Sequence, residues 1–405
     1  MFSFIMSIGA RNYNKRLSLD LIRSTPGGIS RAELARRLGL TRSAVTAIIS
    51  DLMKNGLVRE AEGAPAAAGR PPVLLEMNPE RGYLAGVDIG ATHISFVITD
   101  FSCQVLFERE KPFDITVPPD DAIAQIHQCL LDILSELGLD LSDLLGIGVG
   151  VPGPVIIEKG IVSMPPLMPD WDEYPIRDRL QELWKRPISL SNDAELGALG
   201  EWTHGAGRGE RNLVYIKVGT GIGAGLLLNG EIYHGEAGLA GEIGHITILE
   251  GGPRCNCGNY GCLEALAGGA AIARRAQEAV HSGRRTLMAM YEPIDKISAA
   301  NVAEAAQRGD LAAQEIMKEA GTYLGIAIAS LMNILNPGVV IVGGGISQTG
   351  DLLLQPIRQV VQQRSLRSTA QSVRITSAVL GRRSTSIGAV VQALNIFLDQ
   401  WTTGS

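Results

Sequence analysis

The chain has 405 residues, 45% hydrophobic and 19% charged, with a mean hydropathy of +0.14. At about 100 to 200 residues per domain this predicts several domains and a sizeable core, and it excludes a peptide hormone, a disulfide miniprotein and a disordered chain. The net charge of -6 hides an asymmetry: residues 1–80 carry 11 Lys+Arg against 7 Asp+Glu, and the remainder 25 against 35. A basic module that faces a polyanion, joined to an acidic body, fits that split.

The opening Met1–Met6 is apolar, but it is short and lacks a basic n-region, so it does not read as a signal peptide. Residues 14–24 place Leu17, Leu21 and Ile22 at helical spacing with the charges opposite. Ser30 with Glu33 three residues on is a capping box for a helix that ends at Gly39. Thr41 opens the next helix, with Val45, Ile48, Ile49 and Leu52 inward, and Gly56 closes it. Two short helices joined through Gly39-Leu40-Thr41 predict a helix-turn-helix that presents Thr41, Arg42, Ser43 and Thr46 to base edges. Residues 57–60 and 72–76 read as two strands of a wing, with Arg70 on a Gly/Pro loop between them suited to a narrow minor groove. The competing reading is a three-helix protein-interaction module whose arginines are merely solvated.

The body repeats one grammar. Leu84–Val87, Asp88-Ile89-Gly90-Ala91-Thr92 and Ser95–Ile98 read as strand, glycine turn, strand. Val214–Val218, Gly219-Thr220-Gly221-Ile222-Gly223 and Leu226–Leu228 read the same way, followed by an Asn229-Gly230 hairpin turn. Two such hairpins among alternating helices and strands predict two α/β lobes. Their glycines admit a phosphate to the backbone N–H groups, and Asp88 can hold the accompanying Mg²⁺. Gly343 and Gly344, after the buried strand Val339–Val342, extend that reading, although glycines in tight turns also serve torsion alone. Residues 320–350 carry no charge, but Leu324–Leu335 spans only about three turns before Asn336-Pro337-Gly338, which predicts a buried helix and not a membrane span. Five cysteines, three of them within residues 255–262, exclude a disulfide framework and favour a reducing, cytoplasmic setting, with Cys103 and Cys129 in the core.

The run Gly241-Glu242-Ile243-Gly244-His245, followed by Cys255-Asn256-Cys257-Gly258 and Gly261-Cys262-Leu263-Glu264, closely resembles the ROK family of bacterial repressors and sugar kinases. The resemblance implies an actin-like ATPase fold and a structural Zn²⁺ on His245, Cys255, Cys257 and Cys262. One imidazole and three thiolates make a closed tetrahedral shell with no open catalytic position, which agrees. It also implies a sugar site of Asn192, Asp193, Glu242, His245 and Glu264, groups able to serve several hydroxyls at once. For Glu264 a plain helix-start carboxylate is the alternative.

In the family's kinases the carboxylate matching Asp193 is the general base toward the sugar hydroxyl, with Mg-ATP on the glycine turns. This chain keeps Asp193, Asp88, Gly90, Thr92 and Gly219-Thr220-Gly221-x-Gly223, but Ala91 and His93 replace the kinases' second glycine and lysine, and Pro166 replaces a sugar-loop asparagine. The reading that follows is a winged helix-turn-helix over 1–78 and two actin-like lobes over 79–195 and 196–384, the smaller completed by a C-terminal helix over 385–405. It predicts a sugar-responsive transcriptional repressor that binds operator DNA and a monosaccharide as a homodimer or homotetramer, away from membranes. An ATP-dependent sugar kinase with an accessory DNA-binding module is the second reading.

Overall fold

Three helices and a two-stranded ribbon open the computed structural model, which describes residues 10–62 and 73–403. Met1–Met6, the wing tip with Arg70 and the last two residues lie outside the described residues. Helix α1 (Ala10–Ser24) starts earlier than its apolar spacing predicts. Its buried centre is Ser18, Leu19 and Ile22, not Leu17. Helix α2 (Arg31–Leu38) is capped by the Ser30 hydroxyl, which accepts from the Glu33 N–H, and ends on Gly39 in the left-handed region. The Thr41 hydroxyl accepts from the Ala44 N–H to start α3 (Arg42–Lys54), which buries Val45, Ile48, Ile49 and Leu52 as its periodicity requires. Strands β1 (Val58–Glu62) and β2 (Val73–Met77) pair antiparallel as the wing's base.

The first lobe contains β3 (Tyr83–Ile89), β4 (His93–Asp100), β5 (Val105–Pro112), α4 (Pro119–Glu136), β6 (Leu144–Val151), the short pair β7 (Val155–Ile156) and β8 (Ile161–Val162), α5 (Ile176–Trp184) and β9 (Ile188–Asn192). Helix α6 (Asp193–His204) leads into the second lobe, with β10 (Leu213–Val218), β11 (Ile222–Leu228), β12 (Glu231–Ile232), α7 (Leu263–Ala267), α8 (Gly269–His281), α9 (Ala299–Gln307), α10 (Leu311–Leu335), β13 (Val339–Gly343), α11 (Asp351–Arg364), α12 (Arg367–Ser372) and β14 (Arg374–Ser377). Among the described residues the two large sheets have strand orders β5-β4-β3-β6-β9 and β12-β11-β10-β13-β14. In each, the first three strands in sequence form an antiparallel meander and the last two join in parallel, so one topology is used twice.

Helix α10 is 25 residues long, well beyond the segment predicted from Leu324. Its first half carries Glu315, Lys318 and Glu319 on an exposed face, which masks its periodicity in a search for uncharged sequence. No helix among the described residues is long and apolar enough to cross a membrane. Cys103 and Cys129 are half-buried, not core: Cys103 sits in the β4–β5 turn at φ 64°.

The last helix, α13 (Ser384–Thr403), returns to the first lobe and packs on β3 and β6. A Cβ at Gly148 would lie 1.9 Å from the Ala389 carbonyl oxygen, so only glycine lets the helix touch the strand backbone. Its far end joins the winged module in one apolar cluster, where Leu19, Ile22 and Leu52 meet Val390, Leu394 and Leu398. Arg16 donates to the Asn395 carbonyl and to Asp399, and Arg23 donates to Asn395 Oδ1 at 2.7 Å. These arginines clamp the module to α13.

Candidate functional site

A cleft of about 100 Å³ lies between the lobes. The structure brings all five predicted sugar-site residues to its lining: Asn192 and Asp193 from the β9–α6 junction, Glu242 and His245 from the loop after β12, and Glu264 from the first turn of α7. Asn192 is first of all the N-cap of α6. Its Oδ1 accepts from Ala194 and Glu195, and its amide donates to the Gly153 carbonyl at 2.9 Å, leaving one N–H for a ligand. Glu264 Oε2 accepts the Ile222 N–H at 3.0 Å, and a Cβ at Gly221 would lie 2.4 Å from that oxygen. Gly221 therefore makes room for a carboxylate; its place at the start of β11 is a packing requirement.

Burial pushes Glu242 and Glu264 above the ordinary carboxylate range, opposed at Glu242 by His245 and at Glu264 by the Ile222 N–H. Burial also raises Asp193, against the ammonium of Lys217. A cluster of desolvated oxygens with few donors of its own suits a ligand that brings hydroxyl donors. Across the cleft Pro165, Pro166 and Leu167 add an apolar rim.

His245, Cys255, Cys257 and Cys262 come together at one end of the cleft, with one ligand atom of each within 4.8 Å of all the others. Cys257 Sγ to Cys262 Sγ is 3.8 Å and Cys255 Sγ to His245 Nδ1 is 3.7 Å. Tetrahedral zinc with Zn–S bonds of about 2.3 Å requires sulfur–sulfur edges of about 3.8 Å, so the donor set fits the ion. Burial and neighbouring thiols push Cys262 up to about 12, and a dication supplies the charge that lets such thiols ionise. With Nδ1 turned to the sulfurs, His245 Nε2 faces Glu242 at 3.9 Å, toward the cleft.

The predicted phosphate residues fall into two sets, those that line the cleft and those outside its lining. Gly90, Gly219, Thr220, Gly221 and Gly223 line the cleft, whereas Asp88, Thr92, Gly343 and Gly344 are not among its lining residues. A Cβ at Gly343 would lie 2.2 Å from the Tyr215 hydroxyl oxygen, and Gly344 has φ 83°, so packing and torsion require these two glycines. Ala91 packs against the first lobe's core. The His93 ring lies over Gly90, 3.1 Å from where a Cβ there would be, and Ala91 and His93 both line the cleft beside this turn.

Lys217 is the residue that the sequence reading missed. Its ammonium donates to Asp88 at 3.2 and 3.3 Å, to Asp193 Oδ2 at 2.9 Å and to the Thr385 hydroxyl at 3.2 Å. Burial works to lower its pKa, but Asp193 and Asp88 outweigh that and hold it above the ordinary lysine range. A lysine inside an otherwise apolar strand, next to a glycine turn, was the available signal.

In the winged module Thr41, Arg42, Ser43 and Thr46 are exposed on the N-terminal turns of α3. The Thr46 hydroxyl donates to the Arg42 carbonyl at 2.9 Å, and the guanidinium of Arg42 has no ion-pair partner among the described residues.

The ROK family pattern matches residues 84–396, and a winged helix-turn-helix DNA-binding pattern matches residues 15–59. The chain belongs to the ROK family. A ROK relative, a xylose repressor of Caldicellulosiruptor bescii, is 31% identical over 92% of this chain and 93% of its own length. A glucokinase of Halalkalibacterium halodurans is 38% identical over 76% of this chain and 94% of the kinase. The solved structure of a ROK family transcriptional regulator, described as a homologue of the E. coli MLC protein, matches with TM-score 0.81 and 27% identity over 97% of this chain and 98% of that one. The fold is therefore the actin-like ROK architecture preceded by a winged helix-turn-helix, and its relatives include both repressors and glucokinases.

Proposed function

We infer that the protein is a sugar-responsive transcriptional repressor. The module within 1–78 reads operator DNA through Thr41, Arg42, Ser43 and Thr46, with Arg70 entering the minor groove. The two lobes, divided near residue 195, hold a monosaccharide on Asn192, Asp193, Glu242, His245 and Glu264. Zn²⁺ on His245, Cys255, Cys257 and Cys262 fixes the loop that supplies three of those contacts. That division runs through α6, so the lobes share a helix there and are not joined by a linker.

The observation that carries this reading is α13. Near its start the Thr385 hydroxyl donates to the Asp193 carbonyl at 3.0 Å, and toward its end Asn395 and Asp399 hold Arg16 and Arg23 of α1. A 20-residue helix spans about 30 Å, so one rigid element touches both the cleft and the reader. Sugar that favours one setting of α13 changes DNA affinity, and DNA must change sugar affinity by the same factor. A homodimer or homotetramer fits the near-palindromic operators that such readers use, and an operator-bound protein works in the cytoplasm.

Fluorescence anisotropy with duplexes from the protein's own promoter region tests this, with D-xylose, D-glucose or N-acetylglucosamine added in turn. One duplex binds with steep salt dependence, one sugar changes its affinity by roughly 5- to 150-fold, and Arg42→Ala weakens it by about tenfold. Failure to retain any duplex at low ionic strength, with or without sugar, rejects the reading. Retained Asp193 supports the second reading, an ATP-dependent sugar kinase. ADP release that depends on sugar and is abolished by Asp193→Asn would put the enzyme first.

A further inference from the structure

The fold family implies Mg-nucleotide on the glycine turns, and the residues that meet across the cleft do not fit it. Asp88 and Lys217 hold equivalent places in the two lobes. Each is the penultimate residue of the first strand of its sheet, and each is followed by an apolar residue and a glycine. Each also sits opposite a glycine of the parallel neighbour strand, Gly150 on β6 and Gly343 on β13. One carries a carboxylate and the other an ammonium, and the two meet. The ammonium has three N–H donors, and Asp88, Asp193 and Thr385 accept all of them. The pair is sequestered: the Lys217 side chain is 14% exposed and that of Asp88 is 2% exposed.

We propose that Lys217 is the resident cation of the cleft, standing where a divalent ion would have to stand to be shared by Asp88 and Asp193. Mg²⁺ requires carboxylate and water oxygens at about 2.0–2.1 Å in an octahedron. Here the oxygens of both carboxylates are directed at Nζ, and a dication beside a buried ammonium meets strong like-charge repulsion. The protein thus takes sugar without Mg²⁺ or nucleotide, and Asp193 Oδ2 is held in an ion pair, which leaves Oδ1 to accept a hydrogen bond from a sugar hydroxyl. This rests on the sugar-binding reading above. A lysine can also bind phosphate as a point charge, but to reach one Lys217 would leave two buried carboxylates uncompensated.

The test uses the full-length, zinc-loaded protein and Mn²⁺ in place of Mg²⁺, with free Mn²⁺ read by electron paramagnetic resonance. Wild type leaves added Mn²⁺ free and leaves the spectrum of the Mn²⁺–AMP-PNP complex unchanged. Lys217→Thr takes up one ion per chain about tenfold more tightly or better, and adding Asp88→Asn removes that gain. A Lys217→Thr protein that keeps its zinc and its cooperative melting but gains no Mn²⁺ site overturns the proposal. So does wild-type protein that changes the spectrum of the Mn²⁺–AMP-PNP complex, a measurement that needs no variant; if Lys217→Thr loses that change, the lysine is a phosphate ligand. Sugar-induced melting shifts in the same samples report separately on the sugar reading, because the Mn²⁺ comparison does not require sugar.

Discussion

The two lobes share a strand order and differ in what keeps each in shape. The first lobe is closed by α13, laid on β3 and β6 with backbone in contact at Gly148, and by the buried indoles of Trp171 and Trp184. In the second lobe the loop from His245 to Glu264 is gathered where His245, Cys255, Cys257 and Cys262 converge, over a core formed by α10 and its neighbours. The first strand of each sheet carries a charge at the same place, negative at Asp88 and positive at Lys217. A duplicated topology with complementary charges closes its own cleft electrostatically. Duplicated topology therefore does not imply duplicated chemistry.

The largest predicted effect falls on the second lobe alone. Chelation of zinc, or Cys262→Ser, removes the clip and lowers the melting temperature by about 10 °C or more. The sugar-induced shift disappears with it, because Glu242, His245 and Glu264 lose their common anchor, while DNA retention at low salt survives on α13. Differential scanning fluorimetry with parallel zinc analysis checks this; an unchanged transition in zinc-free protein would remove the clip from the comparison. A smaller effect is expected in the first lobe. Gly148→Val drives a side chain into the Ala389 carbonyl and costs about 1–3 kcal/mol, read by urea unfolding. Because α13 also holds Arg16 and Arg23, the same variant decouples sugar from DNA. Gly345→Ala, whose Cβ would meet nothing closer than 3.9 Å, is the control and stays near wild type. If both variants unfold alike, close approach of α13 does not hold the first lobe.

Much of this was legible in the residues. The caps Ser30 and Thr41, the Asn229-Gly230 turn at φ 56° and 82°, and the repeated strand-turn-strand grammar are local signals, and the structure follows them. The cysteine cluster was legible because its ligands lie close in sequence. Lys217 was hidden, since its partners Asp88, Asp193 and Thr385 are 129, 24 and 168 positions away and only the closed fold brings them together. The role of Arg16 and Arg23 was hidden for the same reason, since the C-terminal helix that covers them lies at the other end of the chain. Gly343 and Gly344 carry a demand of another kind: a glycine run after a buried strand suggests a phosphate cradle, and here a tyrosine ring and a positive φ also require glycine.

The smallest difference between the lobes is one of pH. After β12 the second lobe places His234 Nδ1 2.8 Å from Glu195 Oε1, at the start of the segment that reaches Glu242. The hydrogen bond that His234 Nδ1–H donates to the Glu195 carboxylate raises the His234 pKa, with burial opposing it. A histidine whose folded pKa is raised contributes stability that is complete below its ordinary value of about 6.5 and fades as pH rises through the raised value. The ring is 40% exposed, so water screens the pair and the effect is modest. Hydrogen exchange over residues 235–242, corrected for intrinsic rates, should show protection weakening by less than about fivefold between about pH 6 and pH 8. The strands of the first lobe should show no matching change, and His234→Gln should flatten the profile. A variant that keeps the wild-type slope would move the pH dependence to another group and remove this asymmetry between the lobes.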